Sequence, residues 1–145
     1  MRVRYATASA SGWIVKQVAV VTVSGVVTPP TAKQIAADAG AWCVTHGLHA
    51  IVGRWAGAAI AIDGETLAAE MTAAPSVPGP RSIAIVCADD QMEIFNTHAR
   101  LMRAAGHSRA VFTCDLAALA WAQEQARVRA YWASLRDGLR RAAPR

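Results

Sequence analysis

Apolar and polar positions change rhythm several times along the chain, and each change predicts an element. Val3 to Ala8 alternates loosely, Ser11-Gly12 offers a turn, and Ile14 to Val27 is dense in β-branched residues, so two antiparallel strands are expected. Thr28-Pro29-Pro30 supplies an N-cap and a first-turn proline. Behind it Ile35, Ala39, Trp42, Cys43 and His46 recur at helical spacing. Gly47 is a natural left-handed stop, with Leu48 placed to fold back on the last turn. His49 to Trp55 predicts a third strand, and Ala58 to Ile62 a short continuation of it after Gly57. Asp63 caps a brief helix over Gly64 to Ala73. Three prolines in Pro75-Ser76-Val77-Pro78-Gly79-Pro80 impose a loop.

Ser82 to Ala88 is a continuous apolar run, the pattern of a strand buried on both faces. Asp89-Asp90 sets acids at the positive end of the next helix, which runs to Gly106. Arg109 to Cys114 predicts a last strand, and Asp115 caps a long helix reaching about Arg141. The order β-β-α-β-α-β-α-β-α predicts an α/β fold. Its sheet is mostly parallel, opened by an antiparallel hairpin, and helices pack against it. One domain over residues 1–126 and a helical extension of the same domain over 127–145 account for the chain, with no internal repeat.

Composition narrows the function class. A 54% apolar, 17% charged chain is a packed globule rather than a disordered one. No run approaches the roughly 20 apolar residues of a membrane span, and the apolar stretch after Met1-Arg2-Val3-Arg4 is too short for a secretory signal. A cytoplasmic protein without a membrane partner is expected. Cys43, Cys87 and Cys114 are far apart among apolar neighbours, so three buried, reduced thiols are expected. The net charge of +5 is concentrated late: residues 100–145 hold nine Arg against three acids, and residues 1–99 six cations against seven acids. Basic charge of this kind is weak evidence for nucleic acid, which is not the expected partner.

Candidate chemistry is sparse. His46 and His49 straddle Gly47 rather than sharing a helix face, which excludes metal-ligand spacing. Asp89, Asp90 and Glu93 are what a helix N-terminus uses for its own dipole. His98 is expected at the core margin and His107 in a solvated loop. No phosphate-cradling or nucleophile-elbow motif occurs, so neither a catalytic set nor a cofactor or metal site is expected. Five tryptophans are notable beside two Phe and two Tyr. Trp55 falls at the carboxyl edge of the sheet, where open α/β sheets bind ligands. With Arg54 and Asp63 it forms the candidate ligand pocket, and a small-ligand carrier is one alternative function. A nucleic-acid-associated protein using the Arg-rich C-terminus is another.

With the element order in hand, residues 10–126 resemble the anti-sigma-factor antagonist or STAS superfamily, within it the small stand-alone SpoIIAA-like bacterial proteins. The resemblance is carried by the short strand and capped helix at Ile60-Ala61-Ile62-Asp63, and by Ala110-Val111-Phe112-Thr113 leading into Asp115-Leu116-Ala117-Ala118-Leu119-Ala120-Trp121. It implies a non-catalytic protein-interaction or regulatory module with a protein partner. In that family a strand ends in Asp-Ser-Ser/Thr-Gly and the serine is phosphorylated. Here the stretch is Asp63-Gly64-Glu65-Thr66. Asp63 matches, Gly64 replaces the acceptor, and the hydroxyl of Thr66 comes two positions late.

The end of the chain adds one more expectation. Leu116, Leu119 and Ala120 offer apolar contacts to the sheet up to about Ala126; beyond it Val128, Tyr131, Trp132, Leu135 and Leu139 continue as a stripe spanning roughly 100° of the helix. Arg129, Arg136 and Arg140 line one flank. A homodimer through this stripe is expected, the alternative being that it folds back over Tyr5 and Trp13 of its own hairpin.

Overall fold

A computed structural model describes residues 1–73 and 82–144; the expected loop at 75–80 lies outside the described residues. Its strands are β1 (Arg2–Arg4), β2 (Ala8–Val15), β3 (Val18–Val27), β4 (Ala50–Arg54), β5 (Ala58–Ile60), β6 (Ser82–Val86) and β7 (Ser108–Phe112). The helices are α1 (Pro29–Thr45), α2 (Gly64–Ala73), α3 (Met92–Ala104) and α4 (Asp115–Ala142). One sheet runs β1-β2-β3-β4-β6-β7, antiparallel through β1, β2 and β3 and parallel from β3 onward; β5 pairs with the far end of β3.

The hairpin turn is not at Ser11-Gly12. β2 runs straight through those residues, and the turn is Lys16-Gln17, both at positive φ (45° and 66°) between the paired Val15 and Val18. Positive φ at both centres matches the twist of the flanking strands. Gly12 serves packing instead: a Cβ there would meet the Trp42 ring at 2.9 Å, so the missing side chain lets α1 lie on β2. At the end of α1 the expected stop is present, with Gly47 at φ +63° and the Leu48 amide bonded to the Cys43 carbonyl at 2.9 Å. The acids after β6 open a short 3-10 turn over Asp89–Gln91 before α3 begins.

Alternation along β3 explains the layers. Ala19, Val21 and Val23 point into a large core with Ile35, Ala39 and Cys43 of α1, Leu67 of α2 and Phe95 of α3. Val18 and Val20, with Ala50, Val52, Ala84 and Val86, point the other way and are covered by α4. Of the expected contacts of α4 only Leu119 packs against this face, beside Trp121 and Phe112. Leu116 is 79% exposed and Ala120 is exposed, whereas Ala118, Ala122 and Ala126 are buried. Four-residue spacing puts these three alanines on one line, and their small side chains let the helix axis approach a valine-rich sheet closely.

Ala126 is the last buried residue of α4. At about 1.5 Å per residue the helix is about 42 Å long, so roughly its last 24 Å follows that point. Arg129 Nε donates to the Ser82 hydroxyl at 2.6 Å, and Ser82 bonds Gln125 at 3.4 Å. Ser82 begins β6, so Arg129 marks where the helix reaches the amino ends of the parallel strands.

Candidate functional site

Two places concentrate the residues singled out by sequence: the carboxyl edge of the sheet with the start of α2, and the outer half of α4. At the first, Asp63 caps α2. The Thr66 amide donates to Asp63 Oδ1 at 2.7 Å and the Thr66 hydroxyl to Oδ2 at 3.0 Å. These bonds, the amide first, hold the Asp63 carboxyl below its usual range. The Thr66 hydroxyl is thereby engaged in the cap.

Gly64 follows as the first helical residue and is buried. A Cβ at this position would lie 2.5 Å from the Ile94 carbonyl oxygen and 2.7 Å from Thr97 Cβ, both on α3. The absence of a side chain is what lets α2 and α3 pack at this distance. Any side chain there would have to push α2 and α3 apart.

Arg54, Trp55 and Asp63 each engage a different neighbour. The Arg54 guanidinium makes a two-pronged pair with Asp115 (Nε–Oδ1 2.8 Å, Nη2–Oδ2 3.0 Å) and donates to Thr22 at 3.3 Å. This ties the end of β4 to the first turn of α4. Trp55 is only 8% exposed, with its ring 5.7 Å from that of Phe95. Its indole also lies over Gly53, where a Cβ would meet Nε1 at 2.8 Å. The tryptophan is therefore part of the core rather than an open rim.

Sequence reading passed over Gln91, which holds this edge together. Its carboxamide is buried and donates to the Trp55 and Ala58 carbonyls at 3.1 and 2.7 Å, while its oxygen accepts the Ala88 amide at 2.9 Å. It thus satisfies the backbone where β4 breaks and β5 resumes. A glutamine within an acidic helix start carries no periodic signal that marks it for burial.

Among the thiols, Cys43 and Cys87 are buried and Cys114 is exposed, against expectation. Cys114 immediately precedes α4, beyond the end of β7 and outside the packed layers. Burial pushes the Cys43 thiol up to about 12; burial, then Asp89 and Asp90, push Cys87 upward. His98 lies deeper than the core margin. It is 5% exposed, its Nδ1 has no hydrogen-bond partner among the described residues, and burial followed by Arg109 lowers its pKa to about 4.

The outer half of α4 presents Val128, Tyr131, Trp132, Leu135 and Leu139 to solvent, from 37% exposed at Val128 to 71% at Leu139. Trp13 is 44% exposed. The stripe does not fold back over the hairpin. Among the described residues no three His, Cys, Asp or Glu come together to hold a metal ion, and no helix is long and apolar enough to cross a membrane.

No family model matches the sequence, and no curated protein matches it. Its structure is similar to the crystal structure of an anti-sigma factor antagonist from Mycobacterium paratuberculosis. The TM-score is 0.53 at 17% identity, over 81% of this chain and 95% of that one. The fold expected from element order, a STAS-like α/β sheet with an antiparallel opening and a long last helix, is the fold observed.

Proposed function

We propose that this chain is a cytoplasmic, non-catalytic protein-interaction or regulatory module of STAS-like type. In this reading it assembles as a homodimer and works without serine phosphorylation at the start of α2. The observation that carries the last point is Gly64, which stands where the resemblance puts the acceptor and is packed so closely against Ile94 and Thr97 that a side chain would have to push α2 and α3 apart. Engagement of the Thr66 hydroxyl by Asp63 supports it from the next candidate along. The Mycobacterium paratuberculosis protein is named as an antagonist of an anti-sigma factor, so a partner of that class is the first to test.

The experiment is incubation with a serine kinase of the anti-sigma type, followed by mass spectrometry of the peptide spanning residues 63–66. No phosphate is expected, and stoichiometric phospho-Thr66 would overturn the reading. The homodimer is supported by the five exposed apolar side chains of α4. Leaving such a stripe in water is a liability that a partner surface removes. Light scattering of the intact chain should give a dimer at micromolar concentration, and a Trp132→Glu, Leu135→Glu variant should give a monomer.

A further inference from the structure

We propose that the two copies pair through α4 in parallel, as a short two-stranded coiled coil beginning where the helix leaves the sheet. The inference rests on the dimer reading above and adds to it the direction of pairing. Its starting point is spacing. Val128, Trp132, Leu135, Leu139 and Ala142 follow one another at intervals of four, three, four and three residues. That is the heptad alternation of a seam that packs against another helix, with Trp132 and Leu139 at a and Val128, Leu135 and Ala142 at d. The three alanines that bind α4 to its own sheet lie on a different line of the helix, so one helix carries two separate contact faces.

Charge on the flanks selects the direction. Given this register, Arg129 and Arg136 occupy the e positions, and Glu124, Tyr131 and Gly138 the g positions. In a parallel pair each g residue faces the e residue of the following heptad on the other strand. Tyr131, whose ring is exposed, then meets Arg136 of the second copy, an aromatic face against a guanidinium. An antiparallel pair sets e against e, which brings Arg129 of each copy opposite Arg136 of the other, two like-charge contacts per dimer. Parallel pairing also lets both domains sit at the same end, since the helix enters the seam only after Arg129 has anchored it at Ser82.

The available area fits a second copy of modest affinity. Five side chains of this size and exposure bury on the order of 500 Å² per copy, so about 1,000 Å² in total, the lower bound of a specific interface. A dimer dissociating in the micromolar range is the expectation.

The test uses the full chain with the exposed Cys114 changed to serine, a residue outside the seam. In this background Leu139→Cys and Val128→Cys are made as separate proteins, oxidised gently alone and as a mixture. Light scattering before oxidation reports the dimer. The parallel seam predicts that Leu139→Cys alone forms a disulfide-linked dimer rapidly, as does Val128→Cys alone. Cross-linking chiefly between the two different variants in the mixture would overturn the direction while leaving the dimer standing. A dimer that gives neither product would remove α4 as the interface. A protein that stays monomeric to about 100 µM, some hundredfold above micromolar dissociation, would overturn both the pairing and the dimer.

Discussion

Replacing Gly64 by alanine isolates the close contact between α2 and α3 on which the proposed lack of phosphorylation rests. A glycine-to-alanine change in a helix ordinarily stabilises by about 0.5–1 kcal/mol, because alanine loses less backbone freedom on folding. Gly40, within α1, has nothing within 4 Å of where a Cβ would be, so Gly40→Ala should show that ordinary gain. At Gly64 the new carbon would lie 2.5 Å from the Ile94 carbonyl oxygen and 2.7 Å from Thr97 Cβ. Carbon contacts are comfortable at about 3.5–4.0 Å, so α2 and α3 must part by about an ångström. The carbonyl is backbone and cannot rotate away. Forcing a methyl into a packed site of this kind costs about 1–3 kcal/mol. Net of the helix gain, Gly64→Ala should therefore lose up to about 2.5 kcal/mol, and the two glycine variants should differ in sign. Urea unfolding at constant slope measures this directly as a shift in midpoint. Gly64→Ser, which introduces the hydroxyl of the STAS pattern, should lose at least as much as Gly64→Ala. If Gly64→Ala is as stable as Gly40→Ala, the helices are not held at the spacing described, and their close contact is no longer a reason to exclude phosphorylation.

Other consequences are open to simple measurement. A thiol reagent should label Cys114 at the rate of an exposed cysteine and leave Cys43 and Cys87 unmodified until unfolding; rapid native labelling of either buried thiol would contradict the packing of α1 or β6. His98 stays neutral in the folded chain down to about pH 4, whereas in the unfolded chain it takes up a proton near its usual 6.5. Stability should therefore be independent of this group above about pH 7 and fall by about 3 kcal/mol between pH 6.5 and 4; His98→Leu should remove that part of the slope, and an unchanged slope would refute it. Gln17→Gly should stabilise by about 1 kcal/mol, since glycine relieves the left-handed geometry at φ 66°; a loss would show that the Gln17 side chain matters more than its backbone. Arg54→Ala should cost no more than about 1 kcal/mol in thermal unfolding, because its pair with Asp115 is partly exposed.

What the sequence disclosed, and what it hid, divides along one physical line. Periodicity and punctuation are local, and they placed α2 at Gly64–Ala73, stopped α1 at Gly47, and set β-rich and helical stretches in an order that yields the observed sheet. Distances between elements are not local, and these are where expectation and structure part. A glycine at a turn and a glycine under a tryptophan are written alike, so Gly12 suggested a bend where Trp42 lies across a continuous strand. Trp55 at a strand end suggested a rim, yet Gly53 leaves room for the indole to turn inward. Of the expected contacts of α4, Leu119 packs at the margin of the sheet while Leu116 and Ala120 face solvent, because the line of closest approach to a flat, β-branched surface falls on other, small residues. The repeat Ala118, Ala122, Ala126 was visible as a pattern and informative only once the opposing valines were known. The same reasoning gives the outer half of α4 its meaning. Where the helix lies on its own sheet its buried residues are alanines, and beyond the sheet Trp132, Leu135 and Leu139 are exposed, the side chains that the proposed dimer would set against a second helix. A helix built only to cover the sheet would have no use for large apolar residues past Ala126. Their presence there is the strongest reason to treat α4 as two surfaces on one rigid element, one that completes the fold and one that reaches outward.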